Sequence, residues 1–140
     1  MTPIRVLLVE DNPGDAELIR DALEHTELCL EIAVVPDGAD ALDHVFRRGR
    51  HAQAARPDLI VLDLNLPRLG GREVLAEIRQ HPALHAIPIV IFTSSDSGHD
   101  ISDSYRLGAN CYVTKPVELA AFQAAIKAIE GFWRGIARPP

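Results

Sequence analysis

The chain has 140 residues, 47% hydrophobic and 24% charged, a globular balance at the length of about one domain, and this excludes a disordered chain. The net charge of −6, from 14 basic and 20 acidic residues, argues against nucleic-acid binding, which needs a basic face. No apolar run reaches the ~18 residues of a membrane helix, and Met1-Thr2-Pro3-Ile4-Arg5 does not read as a secretory signal, so a cytoplasmic chain without membrane contact is expected.

Val6-Leu7-Leu8-Val9 reads as a first strand. Asn12 as cap and Pro13 in a first turn open a helix with Ala16, Ile19, Ala22 and Leu23 at helical spacing. Leu30 to Val35 is a second strand. Asp37-Gly38 starts a second helix with Ala41, Leu42, Val45 and Phe46 inward, stopping near Arg47-Arg48-Gly49. After a polar loop over 50–57, Leu59-Ile60-Val61-Leu62 is a third strand. Val74, Leu75 and Ile78 mark a third helix, closed by His81-Pro82. Ile87 to Phe92 is a fourth strand, followed by a helix around Ile101 to Leu107 and a short strand at Cys111-Tyr112-Val113. Leu119, Phe122, Ile126, Ile129 and Trp133 form the stripe of a last helix.

Five strand-then-helix rounds predict an α/β, doubly wound (βα)5 chain with a parallel sheet and right-handed crossovers. The strands are apolar throughout, as strands covered on both faces are. With no repeat or linker and about seven residues after the last stripe, one domain over 1–140 without an effector domain is expected.

In an open parallel sheet, ligands bind beyond the carboxyl ends of the strands. Glu10 and Asp11 follow the first strand, Asp63 the third, Thr93-Ser94-Ser95 the fourth, and Thr114-Lys115-Pro116 the fifth. Taken singly, each has a plain alternative: a helix cap for Glu10-Asp11 or Asp63, a strand-end hydroxyl for Thr93, a solvated Lys115. Together they place three carboxylates, a hydroxyl and one of only two lysines on one edge. Three ionised carboxylates cannot share a site without a cation or raised pKa values. All-oxygen donors suit a hard cation such as Mg²⁺, which bridges carboxylates to phosphate oxygens, and Lys115 adds a point charge for the same phosphoryl group. A carboxylate so placed can attack a phosphoryl donor to form an acyl phosphate. Asp63, on the strand expected beside the first, is the candidate nucleophile, with Glu10 and Asp11 in the metal-holding role.

Val9-Glu10-Asp11, Asp63 with Leu66-Pro67, Gly71, Thr93, Gly108-Ala109, Tyr112 and Lys115-Pro116 occur in an order and spacing that resemble the receiver domains of two-component response regulators. Phe46-Arg47-Arg48-Gly49, Asp63 to Arg68, Gly71 to Leu75, Ser104-Tyr105, Ala109 to Val113 and Phe132-Trp133 are similar to stand-alone receivers that partner bacterial and cyanobacterial phytochromes. The resemblance implies a flavodoxin-like strand order 2-1-3-4-5. It implies phosphoryl transfer to Asp63 from a histidine kinase, a phytochrome in the narrower likeness; three downstream routes stay open, transfer to a histidine phosphotransfer protein, binding of a target, or service as a phosphate sink. Glu10, Asp11, Asp63 and the backbone carbonyl of Asn65 would hold Mg²⁺, with Lys115 and Thr93 on the phosphoryl group. Tyr112 would change rotamer with Thr93, and Lys115–Pro116 would be cis. Such a protein is a phosphoacceptor that promotes its own phosphotransfer and slow autodephosphorylation, rather than a turnover enzyme. Swinging the domain from 1:99 to 99:1 takes about 5.5 kcal/mol, within reach of two or three charge-assisted bonds. Gly70 stands where the family often has Asp and Ser94 where Ala is common, while Asn65 and Ser95 occupy positions that tune hydrolysis.

Competing readings are weaker. A haloacid-dehalogenase-type phosphatase carries a second Asp two residues after the nucleophile, where this chain has Asn65. A flavin module would not place Glu10-Asp11 in a phosphate loop, and a receiver that acts only as a scaffold would not retain all the acceptor residues. His81 and His85 are separated from one helical face by Pro82, and His44 and His51 read as solvated, so no second metal site is expected. Cys29 and Cys111, outside any CxxC pair, read as small buried residues. Phe132 and Trp133 either cap the core or join Tyr105 and Ile136 in a self-association face. A homodimer through the fourth and fifth helical region is expected.

Overall fold

The computed structural model describes residues 3–25 and 29–136, the side chains of 135 and 136 excepted. In order, the elements are β1 (Ile4–Val9), α1 (Pro13–Glu24), β2 (Leu30–Val35), α2 (Gly38–Phe46), β3 (Leu59–Leu62), α3 (Gly71–Gln80), β4 (Ile89–Thr93), α4 (Gly98–Arg106), β5 (Cys111–Thr114) and α5 (Leu119–Ile136). Single 3-10 turns lie at Gly49–His51 and Pro82–Leu84. All strand pairs are parallel, in the order β2-β1-β3-β4-β5.

Strand side chains alternate between faces, and the two faces carry separate cores. Leu7 and Val9 of β1, with Ile60, Leu62, Ile89 and Ile91, pack on one side beneath α2 and α3, through Ala41, Leu42, Val45, Val74, Leu75 and Ile78. Val6 and Leu8, with Val61, Val90 and Phe92, pack on the other beneath α1 and α5, through Ile19, Leu23, Phe122, Ile126, Ile129 and Trp133. Strands β3 and β4 are buried at every position. At about 1.5–3 kcal/mol per buried aliphatic side chain, these central strands hold the sheet together.

Asn12 caps α1, its Oδ1 accepting from Asp15 N–H at 3.0 Å, with Pro13 at the first helical position. Helix α4 begins at Gly98, earlier than its apolar spacing indicates, because Ser97 caps it and the first turn is polar. The stop after α2 is made by Arg47 in the left-handed region at φ 57°, ahead of Gly49. Two other expectations need correction, on Cys29 and on the Lys115–Pro116 bond, and the alternatives left open for Trp133 are resolved. Cys29 is exposed, since it precedes the edge strand β2. Trp133 is buried in the α1/α5 core, with Nε1 donating to the Asp58 carbonyl at 3.3 Å, so it caps the core and is withdrawn from any self-association face. Phe132 packs against the same core, and the Ile136 side chain lies outside the described residues. No described peptide bond is cis; Lys115–Pro116 is trans, the ordinary preference of an X–Pro amide.

Candidate functional site

The sheet register builds the site. Val9 pairs with Leu62, so the next residues, Glu10 and Asp63, leave the sheet side by side. Their backbones continue the ladder: Asp63 N–H donates to the Val9 carbonyl at 3.1 Å and Glu10 N–H to the Val35 carbonyl at 3.0 Å. Thr93 pairs with Thr114, and Lys115 N–H donates to the Thr93 carbonyl at 2.7 Å, which carries the lysine over the same edge. Five residues dispersed over more than a hundred positions thus converge at the carboxyl ends of β1, β3, β4 and β5.

Glu10, Asp11 and Asp63 each present a carboxylate oxygen, and these oxygens lie within 4.8 Å of one another. Glu10 and Asp63 are buried, whereas Asp11 faces solvent. Lys115 Nζ donates to Glu10 Oε1 at 2.6 Å, to Asp15 Oδ2 at 2.9 Å and to Asp63 Oδ2 at 3.0 Å. Burial works against the Lys115 charge, but the hydrogen bonds it donates to these carboxylates outweigh it and hold the ammonium above its ordinary pKa. Burial pushes Glu10 up to about 7, with Asp63 repulsion adding to the rise; its bonds to Lys115 and to Asn12 N–H pull only partly back. One ammonium therefore does not neutralise the cluster, whose buried glutamate favours either a proton or a further cation.

Thr93 is fully buried, and its Oγ1 has no hydrogen-bond partner among the described residues, leaving a donor free at the site edge. Tyr112 Oη donates to the Ser95 carbonyl at 2.7 Å, while its N–H donates to Tyr105 Oη at 3.0 Å. Ser95 Oγ in turn donates to Asp100 Oδ2 at 2.5 Å, and Asp100 pairs with Arg72 of α3. Asn65 is exposed, and its N–H donates to Asp63 Oδ1 at 3.2 Å.

Two glycines set the surrounding backbone. A Cβ on Gly71 would lie 2.2 Å from the Asp63 carbonyl, so only glycine lets α3 begin against the strand end that carries Asp63. Gly108, at φ 110°, turns the chain from α4 into β5, and Arg79 Nε donates to its carbonyl at 2.9 Å. At the positions that depart from the family pattern, Gly70 begins α3 without a side-chain cap and Ser94 is exposed.

The structure adds one residue that the strand-end rule passes over. Asp15 lies in the first turn of α1, four positions after Asp11, where the turn from strand into helix brings it back to the site. The signal was present in the helical periodicity but not in the strand ends. The histidines differ from expectation in detail. His51 is largely buried, with Nε2 3.3 Å from Asp40 Oδ1 and its ring tilted at 56° against His44, centroids 5.2 Å apart, because the 3-10 turn folds back on α2. Among the described residues Glu10, Asp11 and Asp63 form the only cluster of three metal-ligating side chains, and it is acidic and all-oxygen. That donor set, whose buried glutamate carries a pKa raised by burial, fits a small hard divalent cation.

A fold of this order, with carboxylates, a lysine and a buried threonine gathered at its carboxyl edge, defines the receiver class. The chain belongs to the response regulator receiver domain family, whose model matches residues 6–127. It is 41% identical over 131 residues to response regulator Rcp1 of Synechocystis sp. (strain ATCC 27184 / PCC 6803 / Kazusa), covering 94% of this chain and 89% of that one. Its structure is similar to the phosphorylated cyanobacterial phytochrome response regulator RcpA, with TM-score 0.94, 44% identity and 99% of each chain covered. It is likewise similar to the Mn(2+)-bound form of Rcp1, with TM-score 0.93, 40% identity and 99% of each chain covered. No helix among the described residues is long and apolar enough to cross a membrane.

Proposed function

We propose that this chain is a single-domain response regulator over residues 1–140 that accepts a phosphoryl group on Asp63 from the phosphohistidine of a phytochrome-type histidine kinase. The observation that carries the reading is the Lys115 ammonium, 3.0 Å from Asp63 and 2.6 Å from Glu10, beside a carboxylate cluster that fits a divalent cation. The likeness to a phosphorylated phytochrome response regulator and to a Mn(2+)-bound one supports it.

Asp63 is the nucleophile: one carboxylate oxygen attacks phosphorus while its other oxygen stays within the field of Lys115. Glu10, Asp11, Asp63 and the backbone carbonyl of Asn65 would hold Mg²⁺, which when bound neutralises the carboxylates and the phosphoryl oxygens. Lys115 and the free Thr93 hydroxyl then donate to the phosphoryl oxygens, and capture of Thr93 lets Tyr112 change rotamer, altering the α4–β5–α5 surface. Hydrolysis of the acyl phosphate by the domain itself resets the switch slowly. The signal passes by contact, a histidine phosphotransfer protein being one recipient. A cytoplasmic homodimer through α4 and α5 completes the reading, with the exposed Tyr105 in the face. Light scattering that finds a monomer at tens of micromolar, with and without phosphorylation, would remove the dimer. Incubation with acetyl phosphate and Mg²⁺ is expected to add ~80 Da of phosphoryl to the intact chain. No gain is expected in Asp63→Asn or without the metal, and gain in either would refute the reading.

A further inference from the structure

The Lys115 ammonium has three N–H donors, and all three are committed to carboxylates: Glu10, Asp63 and Asp15. The first two belong to strand ends, with side chains 1% and 7% exposed; Asp15 stands on the first turn of α1 and is 27% exposed. An acid in a first helical turn ordinarily serves the helix dipole. Here the capping bond is already made by Asn12, whose Oδ1 takes the Asp15 N–H, so the Asp15 carboxylate is left to reach across to β5. A phosphoryl group arriving at Asp63 needs a donor from Lys115, so one of the three bonds must be released. Asp15 is the partner nearest solvent and the one outside the carboxylate cluster, so its bond is the one released.

We propose that Asp15 is a positioning residue that draws the Lys115 ammonium toward α1 and thereby restrains phosphorylation of Asp63. This rests on the reading of Asp63 as phosphoacceptor given above. In the step concerned, an Asp63 oxygen forms a new bond to phosphorus. The bond from phosphorus to the donor's bridging oxygen breaks, its electron pair leaves on acetate when acetyl phosphate is the donor, and no proton is transferred. Asp15 acts on this step through the lysine: it holds the ammonium away from the position the phosphoryl group takes.

The test follows the intact mass of wild type, Asp15→Asn, Asp15→Glu, Lys115→Ala and Asp15→Asn/Lys115→Ala with acetyl phosphate at saturating Mg²⁺. Phosphorylation of Asp15→Asn is expected to be about threefold faster or more, the scale of one charge removed at several ångströms. Asp15→Glu should stay near wild type. In the Lys115→Ala background the Asp15→Asn gain should vanish, since the effect runs through the lysine. In metal-free protein, NMR of the Lys115 side-chain nitrogen should show greater mobility in Asp15→Asn, a change that a role in the helix alone would not produce. An unchanged rate, a gain that persists without Lys115, or an unaltered lysine signal overturns the proposal, as the NMR and single-variant arms can show even if Lys115→Ala does not fold. A wild-type chain that gains no mass overturns instead the phosphoacceptor reading on which the proposal stands.

Discussion

Replacing Glu10 with Gln should stabilise the metal-free protein at alkaline pH while removing its response to magnesium. Glu10 is buried beside Asp63, and burial raises its pKa from 4.5 to about 7. A carboxyl whose folded-state pKa is raised contributes its stability below the unfolded value. That contribution falls away as pH climbs through 4.5 to 7 and is gone above it. The interval of about 2.5 pH units corresponds to about 3 kcal/mol, at about 1.4 kcal/mol for each unit. Glutamine keeps the shape without the charge, so Glu10→Gln should match wild type near pH 4.5. It should exceed wild type by up to about 3 kcal/mol at pH 8, less the cost of the weakened Lys115 bond, about 1 kcal/mol. Urea unfolding in EDTA, from pH 5 to 8.5, measures the difference directly. A variant no more stable than wild type at pH 8, or a difference flat across pH, would show that Glu10 is not carrying an unrelieved buried charge.

Magnesium should raise the Tm of wild type, by about 2.7 kcal/mol of stability at a hundredfold excess over Kd, and leave Glu10→Gln nearly unmoved in calorimetry. Affinity measured by titration should fall as pH drops below about 7, because Glu10 must give up its proton to ligate. Gly71→Ala should cost about 3 kcal/mol in urea unfolding and slow phosphorylation, since the added methyl meets the Asp63 carbonyl at 2.2 Å; a neutral outcome would contradict the close approach of α3. Trp133→Ala should cost about 3–5 kcal/mol with no change in oligomeric state by light scattering, because that side chain belongs to the core.

Most of the fold could be read from apolar runs and caps, because the central strands are buried on both faces and leave no ambiguous alternation. Asn12-Pro13 and Asp37-Gly38 mark helix starts through local chemistry that tertiary contacts did not override. The beginning of α4 was less visible, since Gly98 to Asp100 contribute a polar first turn with no apolar stripe. Within the site, the residues leaving strand ends were found by their position, whereas Asp15 was not, because its place depends on the angle between β1 and α1. The buried state of Trp133 and the exposure of Cys29 also follow from three-dimensional packing: one helix face against the sheet, and a short approach to an edge strand. Pairing of His51 with Asp40 depends on a 3-10 turn that no periodicity announces.

The central claim is that Asp63 takes the phosphoryl group. Borohydride reduces an acyl phosphate of aspartate to homoserine, so the phosphorylated chain can be trapped, digested and sequenced by tandem mass spectrometry. Homoserine at position 63, formed only when phosphoryl donor and Mg²⁺ are both present, is the predicted result. Conversion at any other carboxylate, or phosphorylation that survives Asp63→Asn, would contradict it.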